Sequence, residues 1–114
     1  SGVVVSFRST NASASLTGVD PDKEETLKGD VAQGRFLTGS DYKSIVIGNG
    51  ASQDLFRIKV TPGNKIRLYH KDRYMDFKVV GVLKEAEQTS LGGPGSNENN
   101  QMYITHKAMK ELMR

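Results

Sequence analysis

The sequence predicts an α+β domain: a small, curled, mostly antiparallel sheet with two or three short helices. Three observations carry that prediction. Runs of β-branched and aromatic residues recur along the chain, several of them alternating apolar with polar positions. Turn residues punctuate these runs, most specifically Thr61-Pro62-Gly63-Asn64, which sets Pro and Gly at the two central positions of a type II turn. Helix-start chemistry appears at Asp20-Pro21, Asn49 and Thr105, each followed by only a short stretch of helical spacing.

Taken in order, residues 3–8 (Val-Val-Val-Ser-Phe-Arg) read as a strand. After a polar break at Ser9-Thr10-Asn11, Ala12–Val19 alternates small and apolar residues, giving an antiparallel pair with a short connection. Asp20 is a good N-cap, Pro21 suits the first helical position, and Glu24 and Glu25 suit a first turn. A short, exposed helix is therefore expected until Gly29 or Gly34 stops it. Gly34-Arg35-Phe36-Leu37 and Gly39-Ser40-Asp41 read as a turn-rich connector. Ser44–Gly48 is a continuous apolar run of the kind a buried strand shows. Asn49 opens a second helix through Ala51, Leu55 and Phe56. Past the Pro62-Gly63 turn, Lys65–Tyr69 alternates with Ile66 and Leu68 inward. Lys71-Asp72-Arg73 then connects to a strand with Phe77, Val79 and Gly81 on one face and Lys78, Val80 and Val82 on the other. This is the strongest hairpin signal in the chain. Residues 86–100 are rich in Gly, Ser, Asn and Glu and read as a long surface loop. The chain re-enters the sheet at Gln101–Ile104, and Thr105 caps a closing helix over 106–114 with Ala108, Met109, Leu112 and Met113 on one stripe.

At 114 residues the chain supports one compact domain, so 1–114 is expected to be a single unit with one core. Apolar residues at 36% and charged ones at 25% give a globular rather than a disordered balance. The net charge of +3 is small, and its lysines and arginines fall mostly on alternating strand positions. That reads as a solvated sheet face and argues against a nucleic-acid stripe. Cysteine is absent, which excludes disulfides, thiolate metal sites and thiol nucleophiles. No apolar stretch approaches the roughly 18 residues needed to span a bilayer, so any membrane anchor is expected outside this segment.

The candidate chemistry is thin. Gly92-Gly93-Pro94-Gly95-Ser96 has the glycines of a phosphate cradle, but no Lys-Ser or Lys-Thr follows and Pro94 removes a donor, so a plain loop is the better reading. His70 and His106 lack a paired ligand, and the clusters Glu24/Glu25 and Glu85/Glu87 are exposed by pattern. No serine lies in a nucleophile elbow. Catalytic residues, metal ligands and cofactors are accordingly expected to be none. Asn11-Ala12-Ser13 is a formal glycosylation triplet. The segment expected to touch a partner or substrate is the long loop, at Ser90, Gly92, Gly93, Pro94, Asn97 and Asn99, because a loop on a rigid sheet can adapt its shape.

From residue 17 onward the order of elements resembles the periplasmic core domain of MacB-type permeases, a group that includes FtsX-like and LolC/LolE-like proteins. The resemblance rests on Thr17–Pro21, Gly34–Leu37 with Asp41, Ser44–Gly48, Leu55-Phe56, Pro62–Ile66, Phe77–Leu83 and Met102–Ile104. It implies a Sabre-like subdomain excised from a longer permease, lying on the extracytoplasmic side of the cell membrane between two membrane-spanning helices. It further implies a permease dimer, a cytosolic ABC ATPase as the source of energy, and an adaptor or substrate met outside the membrane. Two other readings of the residues are a free-standing, β-rich module that binds peptide, sugar or nucleic acid, and a small hydrolase, which predicts a deep pocket with perturbed acids or histidines.

Overall fold

The computed structural model describes residues 2–53, 55–56, 58–85 and 101–114. Its elements are β1 (Gly2–Phe7), β2 (Thr10–Val19), a 3-10 turn (Pro21–Lys23), α1 (Glu25–Gly29), β3 (Val31–Gly34), β4 (Ser44–Ile47), α2 (Asn49–Gln53), β5 (Lys65–His70), β6 (Arg73–Leu83), β7 (Gln101–Thr105) and α3 (His106–Leu112). The strands form one sheet in the order β3-β6-β4-β7-β2-β1-β5, and β5 also pairs with β6. That extra pairing closes the curl: β6, β4, β7, β2, β1 and β5 form a ring, and β3 lies against the far end of β6. Five of the seven pairings are antiparallel, while β2–β7 and β4–β6 are parallel.

The main core fills the ring. Val3, Val5 and Phe7 of β1, Leu16 of β2, Ile45 and Ile47 of β4, Ile66 and Leu68 of β5, Phe77 and Val79 of β6 and Met102 and Ile104 of β7 all point inward. Ala108 and Leu112 of α3 close one end. Ala51, Phe56 and Val60 pack into the same core from the segment around α2. A second, smaller cluster lies outside the ring, made by Val19, Phe36, Leu37, Val46 and Leu83, with Leu27, Val31, Val80 and Tyr103 packed against it. The crossover from α1 through residue 37 therefore covers the outer face of β4, β7 and the ends of β2 and β6. This explains why β4 is apolar at consecutive positions: Ile45 and Ile47 face the ring while Val46 faces the crossover.

The local chemistry behaves as its residues dictate. Gly63 takes φ +102°, and Asn64 N–H donates to the Thr61 carbonyl at 3.1 Å, completing the turn around Pro62-Gly63. Asp20 accepts from the Asp22 N–H at 3.2 Å, and Thr105 Oγ1 accepts from the Ala108 N–H at 3.3 Å, so both expected caps form. The β5–β6 hairpin pairs His70 with Arg73 across Lys71-Asp72.

Five details depart from the expectation. The β1–β2 turn falls at Arg8-Ser9, both with positive φ (48° and 69°), which places Asn11 inside β2 opposite Ser6. The first helix is divided, with the 3-10 turn ending before α1 begins at Glu25. Beyond Gly29 the chain forms the strand β3, too short and too exposed for its pattern to announce it. The second helix stops at Gln53, leaving Leu55 and Phe56 outside it. There the Val60 N–H occupies the Ser52 carbonyl at 2.9 Å, and Ser52 Oγ donates back to the Val60 carbonyl at 2.6 Å, so the chain is drawn away from the helix axis. Finally, Val82 points into the ring with Phe77 and Val79 rather than outward with Lys78. The register with β4 jumps from Ile45↔Val79 to Val46↔Gly81, so Val80 is an extra residue, and the bulge inverts the alternation beyond it.

Candidate contact surface

Among the described residues, the crossover covers the outer face of the ring at β4, β7 and the ends of β2 and β6, and nothing covers the part built from β1, β5 and the first part of β6. Its side chains form cross-strand rungs, because Val4 pairs with Tyr69 and Tyr69 with Tyr74, while Ser6 pairs with Arg67 and Arg67 with Asp76. The Tyr69 and Tyr74 rings lie 6.0 Å apart at a tilt of 48°. Arg67 places its guanidinium 4.1 Å from the Tyr74 ring centre and donates through Nε and Nη2 to the two Asp76 oxygens at 2.7 and 3.2 Å. Val4 and Tyr74 are two of the three large apolar side chains that stand exposed among the described residues. Hydrogen bonding by Arg67 holds the Asp76 carboxyl below the ordinary aspartate range against a smaller opposing effect of burial, and the charges of Arg67, Lys43 and Lys65 assist. Stacked Tyr and Arg on a rigid sheet match the composition of protein-contact surfaces.

A second feature lies at the β1–β2 turn. Phe7, Arg8, Ser9, Thr10, Asn11, Phe56 and Ile58 line an open groove of about 410 Å³. Phe7 and Phe56 meet edge to face at 5.6 Å, and Arg8 sits 5.2 Å over the Phe7 ring.

A third feature is structural. Asp41 receives Arg35 Nη1 and Nη2 at 2.8 and 3.1 Å, the Thr38 N–H at 2.8 Å, the Thr38 hydroxyl at 3.1 Å and the Ser44 hydroxyl at 3.0 Å. Hydrogen bonds from Arg35 drive its carboxyl well below the usual range, helped by Thr38 and Ser44 and opposed by burial. This staple fixes the connector that carries Phe36 and Leu37 into the outer cluster.

Ser90, Gly92, Gly93, Pro94, Asn97 and Asn99, expected to make contacts, lie outside the described residues. The flanks of their segment are placed. Lys84 N–H donates to the Asp30 carbonyl at 2.7 Å, and the Gln101 carbonyl accepts from the Gly48 N–H at 2.8 Å. The segment thus links two strands, β6 and β7, that flank β4. His70 ends β5 and His106 opens α3, at separate places in the fold. Among the described residues no three His, Asp or Glu side chains converge as metal ligands, and no helix is long and apolar enough to cross a membrane. Sequence reasoning read the charged positions of the bare sheet face as solvated and did not single the face out for contacts. The signal for it was the strict alternation of Lys65, Arg67 and Tyr69 outside Ile66 and Leu68.

Two solved structures share this architecture. The periplasmic region of MacB from Actinobacillus actinomycetemcomitans superimposes with a TM-score of 0.69 at 18% identity, covering 100% of this chain and 49% of that one. The extracellular domain of the noncanonic ABC-type transporter YknZ from Gram-positive bacteria superimposes with a TM-score of 0.72 at 19% identity, covering 99% of this chain and 54% of that one. At such identities the likeness is one of fold, and the chain spans about half the length of both structures. No curated protein matches it in sequence. The family model for the MacB-like periplasmic core domain matches residues 1–114, and the ring of strands with its outer crossover is the fold of the two solved relatives, so the chain belongs to the MacB-like periplasmic core domain family.

Proposed function

We propose that this chain is a non-catalytic, extracytoplasmic part of a longer ABC transporter permease, and that it passes ATP-driven motion of the membrane helices to a partner or substrate outside. The observation that carries this reading is the family match over the whole chain. The fold supports it: a filled ring, stapled at Asp41 and sealed by α3, is stiff enough to transmit displacement. In this reading a cytosolic ATPase subunit or fused domain hydrolyses ATP, the permease works as a dimer, and the 86–100 segment meets an adaptor or substrate.

Two experiments on the full permease test it. The chain contains no cysteine, so Ser13→Cys introduces a single thiol into this domain at an exposed position of β2. A membrane-impermeant maleimide should label it in intact cells or spheroplasts; labelling only after the membrane is disrupted would refute the extracytoplasmic placement. Replacing residues 86–100 with a short Gly-Ser linker should preserve the domain's thermal unfolding and abolish transport. Undiminished transport removes the segment from the mechanism.

A further inference from the structure

We infer that the bare sheet face carries a docking site for an acidic polypeptide segment of a partner protein, centred on Lys43, Lys65 and Lys78. Lys65 and Lys78 are direct cross-strand partners, both exposed and outward because Ile66 and Phe77 beside them point into the ring. Lys43 joins them from the start of the next strand, exposed, with its carbonyl accepting the Lys78 N–H at 3.0 Å and its charge acting, like that of Lys65, on the Asp76 carboxylate. The one acid at their centre, Asp76, already has both oxygens engaged by Arg67. Among the described residues none of the three lysines forms an ion pair.

Folding alone disfavours this arrangement, since like charges directly opposite on neighbouring strands repel. Among the described residues the arrangement sets three ammonium groups around a single carboxylate, Asp76, whose oxygens Arg67 already engages, next to the Arg67–Tyr74 stack. A partner with alternating carboxylates in an extended strand would set one acid against each lysine, and its intervening side chains would rest on Tyr74 and Tyr69. The aromatic component favours a polypeptide over a lipid headgroup, because stacked tyrosines offer rigid contact area to side chains. This inference rests on the partner-contacting reading above, yet it concerns a surface separate from the 86–100 segment.

The test uses the 114-residue chain titrated by NMR with a synthetic peptide of alternating Glu and Ser. Amide shifts are expected at Lys43, Lys65, Arg67, Asp76 and Lys78, weakening as salt rises. The double variant Lys43→Glu/Lys65→Glu should bind at least about tenfold more weakly. Its melting temperature should change little, because the carboxylate introduced at position 65 faces Lys78 and offsets the loss of favourable charge beside the exposed Asp76. A control variant, Lys107→Glu/Lys110→Glu on α3, reverses as much charge elsewhere and should bind as the parent does. Equal weakening in both variants, shifts scattered over the surface, or no binding at millimolar peptide would each overturn the inference. Anionic phosphatidylglycerol vesicles perturbing the same residues while the peptide does not would overturn the polypeptide assignment. Each of these failures leaves the maleimide and linker experiments unaffected, so the two readings fall separately.

Discussion

Gly81→Ala is expected to be among the most damaging single-methyl additions in the chain. Gly81 pairs with Gly34 between β6 and β3, and a Cβ at position 81 would lie 2.0 Å from the Arg35 carbonyl oxygen and 3.0 Å from its carbon. These are backbone atoms, so no rotamer change relieves them; β3 would have to retreat by about 1.5 Å to reach ordinary contact distance. Overpacking of this kind costs about 1–3 kcal/mol. The retreat also stretches the bond from Arg35 N–H to the Val80 carbonyl, now 2.9 Å, at about 1 kcal/mol more. A total of about 2–4 kcal/mol lowers the melting temperature of a domain this size by roughly 8–16 °C. Thermal unfolding followed by circular dichroism reads this directly. Gly39→Ala is the matched control, because nothing lies within 4 Å of its added methyl, and it should shift stability by no more than about 0.5 kcal/mol. A Gly81→Ala loss as small as that of the control would show that β3 is loosely held and that the close approach carries no constraint.

Asp41→Asn should destabilise the fold by about 1.5–3 kcal/mol at neutral pH, since the carboxylate accepts charge-assisted bonds from Arg35. The folded-state pKa lies below the unfolded value near 4, so this stability is complete above about pH 5 and drains away as pH falls toward the folded value. Urea titrations at pH 7 and pH 3 should accordingly show the gap between parent and variant narrowing in acid. Ser52→Ala removes the 2.6 Å hydroxyl bond to the buried Val60 carbonyl and should cost about 1–3 kcal/mol, with faster amide exchange over residues 58–60. Thr105→Ala deletes the α3 cap and should cost about 1 kcal/mol, whereas Thr105→Ser should retain most of it.

What could be read from the sequence was what depends on neighbours along the chain. Pro62-Gly63 fixes its own turn, Thr105 caps its own helix, and the alternation of Lys65–Tyr69 declares which face is wet. Features set by a distant partner were hidden. β3 is a strand because β6 extends past β5 to receive it, and nothing within Val31–Gly34 says so. The Val80 bulge appears only in register with β4, so the orientation of Val82 could not be counted from Phe77. The same limit applied to the surface: each of Lys65 and Lys78 looks like ordinary solvated charge on its own strand, and only the hairpin register sets them against each other. Arg35 and Asp41 stand out in the connector as residues, but their joint role as a staple needed the connector's path.

The place of β7 has a consequence for how the protein comes into being. It follows the other six described strands in the sequence, yet it lies between β2 and β4, with Leu16 opposite Met102 and Ile47 opposite Met102 as well. Until residues 101–105 arrive, the growing polypeptide holds one open sheet, joined through β5 and β6, with unsatisfied backbone along its two free margins at β2 and β4. Closure of the ring must therefore wait for residues 101–105, which slot in as a keystone between β2 and β4. Any chain cut short before Gln101 would leave those margins open to pairing with other molecules.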